Sequence, residues 1–168
     1  ELREGLEQFI AKAGSMAEGL APPQTGAPAP PESVDLSVVA SRLRTTLRRL
    51  LGANVELDME LEPRLGRARV SAGEVERMLR VFALGARERL GDRGTLRIRT
   101  SNHTSAKGRR VVLEAEVSGA ARATAGAAPT SSLAISIAWD IVGRYGGDVA
   151  ATSAEDGRLA LRVELPVG

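Results

Sequence analysis

Five of the eight prolines fall within residues 21–33, APPQTGAPAPPES. Proline fixes φ and lacks a backbone donor, so neither a helix nor a central strand can run through such a stretch. The segment is predicted to be a semi-rigid, extended tether. It divides the chain into residues 1–20, too short for a core of their own, and residues 34–168, which must fold as one domain. Hydrophobic residues make up 43% of the chain, enough for that core. Its only aromatics are Phe9, Phe82, Trp139 and Tyr145, so the core must be built from Leu, Val, Ile and Ala.

Ahead of the tether, Leu2, Leu6, Phe9, Ala13, Met16 and Leu20 alternate spacings of four and three. A repeat of about 3.5 residues is the seam of a coiled coil or helical bundle. Gly5, Gly14 and Gly19 each weaken such a helix by about 1 kcal/mol relative to Ala. It therefore needs a partner, and the six seam residues are expected to form a homodimer.

Beyond the tether, helical and strand patterns alternate. Residues 37–51 read as a helix with Ser37 as its candidate cap. Residues 54–61 alternate polar and apolar, as a half-buried strand does. Ser71-Ala-Gly-Glu74 has the form of a capping box, and Val75, Met78, Leu79, Phe82 and Ala86 mark the buried face of the helix after it. Strands are predicted over 95–101 and 110–118, joined by a polar loop, Asn102–Arg109. A stretch rich in Ala, Gly and Thr, Gly119–Ser131, precedes a helix over 132–145. Strands over 147–154 and 158–165 follow, with Asp156-Gly157 as a hairpin turn. The pattern predicts an α+β fold, a two-layer sandwich of one sheet and one helical layer.

Several chemistries are excluded. There is no Cys, so disulfides and thiolate metal centres are excluded; the lone His103 argues against a His-based metal site, and with no Cys beside it no nucleophile–base–acid set can be assembled. Basic and acidic residues number 23 and 21, for a net charge of +2. The densest basic cluster is Arg42, Arg44, Arg48 and Arg49 on one amphipathic helix, with no aromatic interleaved. That is a solvated face, not a nucleic-acid surface. No run of 18 apolar residues exists, so a cytoplasmic protein without a membrane segment is expected, and Glu1 at the start suggests a fragment of a longer chain. Trp139 borders the apolar face of its helix, either folded over the core edge or free to anchor a partner.

The order of these elements carries a resemblance. Val34-Asp-Leu-Ser, then Ala53-Asn-Val-Glu-Leu-Asp-Met-Glu-Leu-Glu-Pro, then Gly94-Thr-Leu-Arg-Ile-Arg-Thr100, resembles the catalytic domain of bacterial sensor histidine kinases. The ending Ile141-Val-Gly-Arg-Tyr-Gly-Gly147, with its hairpin and Leu165-Pro166, is similar to that domain's terminus. These kinases belong to the GHKL ATPases, whose Bergerat fold has a mixed sheet. Residues 1–20 look like the second helix of the family's dimerisation hairpin.

The resemblance also marks departures at the residues that carry the family's chemistry. The family places two Asn four apart in the long helix, the second near Mg²⁺; the matching positions are Val81 and Gly85. Neither side chain bears an oxygen, and Mg²⁺ requires oxygen ligands. Glu88, one turn on, keeps a charge where the family often has a polar residue. The Asp that reads adenine is replaced at Gly119, and the glycine motif that follows reads Gly119-Ala-Ala121-Arg. The second glycine motif reads Ser132-Leu-Ala134-Ile, so Ser132 and Ala134 stand for its glycines. Hydrogen bonds to charged groups contribute about 1.5–3 kcal/mol each. Losing the adenine and metal contacts turns a micromolar ligand into a millimolar one.

The sequence therefore leads to a degenerate histidine-kinase-type module of two-component signalling. It would not bind ATP or hold any cofactor, and would serve as a dimeric scaffold or regulator docking a receiver domain or a kinase partner. Two alternatives stand beside it. One is a phosphotransfer protein whose phosphoacceptor His lies on an upstream helix; the other is an active kinase domain using ATP and Mg²⁺. His103, followed by Thr-Ser-Ala-Lys, is not the family's phosphoacceptor.

Overall fold

The computed structural model describes residues 30–91, 93–119 and 132–168, with 132 and 133 described by their backbone alone. The expected dimerisation helix, most of the tether and residues 120–131 lie outside the described residues.

The chain enters through strand β1, Glu32–Val34, which pairs antiparallel with β3, Ala68–Val70. Glu32 and Ser33, assigned to the tether by composition, thus pair with Val70 and Arg69. Helix α1 spans Leu36–Leu51, and its cap is Asp35, not Ser37. Asp35 Oδ1 accepts from the amides of Ser37 (2.9 Å) and Val38 (3.3 Å). An Asp satisfies the free amides of a first turn as well as a Ser does. Ser37 is engaged elsewhere: its buried Oγ lies 2.9 Å from the Glu62 carbonyl and 2.8 Å from Thr100 Oγ1, which accepts from the Glu62 amide at 2.8 Å. This triangle ties the start of α1 to the sheet.

Helix α2 spans Ala72–Leu90 with Ser71 at its cap position, but the Ser71 side chain makes no capping bond. The capping box is therefore not formed. Glu74, which would complete it, bonds Arg144 Nη1 instead at 2.7 Å, a charge-assisted contact that outcompetes a neutral amide. Helix α3 spans Ser132–Arg144.

Among the described residues the main sheet has five strands in the order β2-β4-β5-β7-β6: Val55–Glu60, Gly94–Ser105, Gly108–Ser118, Leu159–Pro166 and Asp148–Ser153. β2 runs parallel to β4 and the other pairs are antiparallel, so the sheet is mixed. The sequence expectation fails at one place in it. Residues 102–109, read as a polar loop, continue the β4–β5 ladder to Ser105↔Gly108, leaving only Ala106 and Lys107 as the turn. Their polarity marks a hairpin that outruns its hydrophobic cover. Asn102 serves it by donating to the Arg64 carbonyl (2.9 Å) and accepting from the Gly66 amide (2.7 Å).

The helices cover one face of the sheet, where Leu96, Ile98, Leu113, Ala115, Leu161 and Val163 pack under Leu47, Met78, Leu79, Phe82 and Ile141. The opposite face is a ladder of opposite charges. Arg97 pairs with Asp58, Arg99 with Glu60 and Arg162 with Glu114, each at 2.7 Å, and Arg162 reaches Glu164 at 2.9 Å. Exposed pairs add little stability singly, but matched signs across neighbouring strands fix their pairing. The predicted two-layer α+β sandwich with a mixed sheet is the observed architecture. Trp139 lies outside the core, 51% exposed on α3.

Candidate functional site

Helices α2 and α3 lie over the far end of the sheet, and between them is an apolar cavity of about 40 Å³. Phe82, Gly85 and Ala86 of α2 form one wall, and Ala134 and Ile135 of α3 another. The floor is Leu96 of β4, Ala115 and Val117 of β5, Ala151 of β6, and Leu159 and Leu161 of β7. Every described lining residue is apolar. Ala151 is exposed and Ile135 and Leu159 are half-buried, so these three mark the mouth. Sites for drug-sized ligands enclose about 300–1,000 Å³ and include a few placed polar groups.

The residues singled out in the sequence divide around this cavity. Gly85 and Ala134 line it, and both are buried. Val81 packs half-buried against the core without joining the lining, and Glu88 is exposed. Ser132 opens α3. Gly119 ends the run of β5 with φ +151°, and a Cβ built on it would meet Gly94 Cα at 2.7 Å and the Arg93 carbonyl at 3.1 Å. Ala121, with Leu2, Leu6, Phe9, Ala13, Met16 and Leu20, lies outside the described residues.

Sequence reasoning missed most of the floor. The signal was present in the alternation of β5, where Ala115 and Val117 share parity with the core residues Val111 and Leu113. An alanine at such a position leaves space that a larger residue would fill.

The near end of the same helix pair is closed by a polar lock. Arg144 Nη1 bonds Glu74 Oε1 and its Nη2 bonds Asp140 Oδ2, both at 2.7 Å, joining the end of α3 to the start of α2. The Tyr145 hydroxyl is buried beside Glu74, and neither Tyr145 Oη nor Glu74 Oε2 has a well-formed hydrogen bond among the described residues. Burial, and then the negative charge of Glu74, push the Tyr145 hydroxyl above its ordinary value of 10.0. The folded state therefore holds this proton more tightly than the unfolded chain. Its contribution to stability is complete below pH 10 and is lost as pH rises through the higher folded value. Tyr145 is the only tyrosine, so phenolate absorbance reports it alone. The native protein should titrate above 10.0 and the urea-unfolded protein near it. A native midpoint at or below the unfolded one would contradict the burial argument.

No protein-family model matches the chain, and no curated protein matches it either. Solved structures do. The mycobacterial sensor histidine kinase MprB is 18% identical, with a TM-score of 0.59 over 80% of this chain and 97% of that one. The histidine kinase domain of the E. coli osmosensor EnvZ is 19% identical, with a TM-score of 0.59 over 86% of this chain and 93% of that one. Acinetobacter baumannii histidine kinase AdeS is 14% identical, with a TM-score of 0.61 over 82% of this chain and 67% of that one. Their shared architecture is the one built above from the ladders of this chain, and the chain accordingly has the fold of a histidine kinase catalytic domain.

Proposed function

We propose that this chain is a degenerate histidine-kinase-type module of two-component signalling, which does not bind ATP and acts through partners. One observation carries the reading: the cavity between α2 and α3, at the positions where the resemblance places the nucleotide, is small and wholly apolar among the described residues. Gly85 offers no side-chain oxygen to Mg²⁺, Gly119 offers no side-chain oxygen to an adenine amino group, and Val81 packs against core. Metal, base and phosphate contacts are different in kind, so one compensating change cannot restore all of them. With the heptad stripe of residues 1–20, the module is best suited to be a dimeric scaffold that docks a receiver domain or a kinase partner.

A ligand that binds only the folded state raises stability by RT ln(1 + [L]/Kd), about 2.7 kcal/mol at a hundredfold excess over Kd. Millimolar ATP with Mg²⁺ should leave the melting temperature where millimolar MgCl₂ with sodium sulfate leaves it. A rise of several degrees specific to ATP would overturn the reading and favour an active kinase domain.

A further inference from the structure

The cavity raises the question of what enters it if ATP does not. Its lining includes Phe82, Ala115, Ala134 and Leu161, none of which offers a side-chain hydrogen-bond donor or acceptor. A water needs about 10–15 Å³ and two to four polar partners. The cavity has room, at about 40 Å³, but its described lining side chains supply no such partners. Enclosed apolar cavities stay dry and take apolar guests, and this lining, open only at its mouth, gives water equally little to bond. Access is provided at the mouth, where Ala151 is exposed although it belongs to the helix-facing side of β6 with the buried Val149. Among the described residues, none covers the inner face of the sheet at this corner.

We propose that this cavity is a binding site for a small, uncharged, apolar group, no larger than a methyl or ethyl end, in place of a nucleotide. The inference rests on the proposed absence of ATP binding, because a nucleotide and such a guest would compete for the same helix pair. Charge is excluded from the guest because an unpaired ion in an apolar site costs far more than its contacts return. Size is set by the alanines: Ala115 on the floor and Ala134 on the wall make the space, and a larger residue at either would close it.

The test uses the full chain with ¹³C-labelled methyl groups and xenon under pressure, a compact apolar probe. Saturable shifts are expected for the methyls of Ala115, Ala134 and Leu161, with none at Leu36 or Val39, which lie in the core away from the cavity. Ala115→Val, a β-compatible replacement, should weaken the shifts of the Ala134 and Leu161 methyls at least fivefold. Ala151→Val at the exposed mouth, where folding is not at risk, should slow or weaken them. Absent shifts, shifts equal throughout the core, or shifts indifferent to both variants would overturn the proposal. ATP–Mg²⁺ is titrated in a parallel arm. Perturbation of the same methyls by submillimolar ATP would refute the proposed function, whereas silence to both ligands would refute only the apolar site.

Discussion

Replacing Gly119 by Asp, the change that would return the family's adenine-reading carboxylate, is expected to destabilise the domain by ~3 kcal/mol and to bring no nucleotide affinity. At Gly119, φ is +151°, a region L side chains rarely adopt. A Cβ there would sit 2.7 Å from Gly94 Cα and 3.1 Å from both the Arg93 carbonyl and Leu90 Cδ2. Gly94 cannot yield, since it is itself held at φ +154° with the Ser118 carbonyl 2.8 Å from its own Cβ position. The two glycines face each other where β4 begins and β5 ends, so a side chain at either position separates the strands. For a domain of this size the loss corresponds to roughly 6–12 °C in Tm. Gly119→Ala should lose most of the same amount, because the clash lies at Cβ and not at the carboxylate. If Gly119→Asp melted like the parent, or bound ATP in the thermal-shift assay, the account of this corner would be wrong.

A larger loss is expected at Gly147, which needs no unusual φ yet has no room. A Cβ there would collide with the Glu164 carbonyl and with Val142 Cγ1, and would lie 3.0 Å from Leu165 Cδ2. The carbonyl belongs to β7, where Glu164 pairs with Asp148, so it cannot move without opening the β6–β7 ladder. Val142, 0% exposed, is fixed in the core. Overpacking of this kind costs typically 1–3 kcal/mol when neighbours can adjust, and more against a backbone. Gly147→Ala is therefore expected to cost ~4 kcal/mol, a large share of the 5–15 kcal/mol typical of native domains. Urea denaturation measures this directly. Gly143→Ala is the control: a Cβ at Gly143 meets nothing within 4 Å, and alanine favours the helix there. Equal losses at Gly147 and Gly143 would show that general helix-end fragility, and not this contact, is responsible.

Much of the architecture was legible because periodicity and parity are local. The α2 face marked by Val75, Met78, Leu79, Phe82 and Ala86 is the buried face observed, and the Asp156-Gly157 turn sits between β6 and β7, with Gly157 at φ +84°. What escaped the sequence was decided by distant partners. Ser37 looked like a cap and was drawn away by Thr100, 63 residues on. Glu74 looked like half of a capping box and was drawn away by Arg144. The short pair β1–β3 had no alternation long enough to read. At the candidate site, the replaced positions Gly85 and Ala134 were visible as residue types, but their convergence on one cavity needed the fold. The floor residues were invisible for the opposite reason, since an alanine in an apolar strand looks the same whether its neighbour fills the gap or leaves it.

The mixed sheet has a kinetic side. β4 and β5 are joined by two residues and β6 and β7 by five, so each hairpin closes a short loop. β2 has no such route: Val55 meets Gly94 only after β3 and all of α2 have been brought across. Non-local parallel pairing must meet its loop-closure entropy before any contact returns it. Assembly should therefore begin in the antiparallel hairpins and finish at the β2 edge, and the same order reversed should govern opening. In native-state hydrogen exchange, the amides of Leu113 and Ala115 would then open only with global unfolding. Those that join β2 to β4 would exchange through a smaller, earlier fluctuation. Protection as high at the β2–β4 seam as in β5 would mean that the parallel edge is part of the folding nucleus.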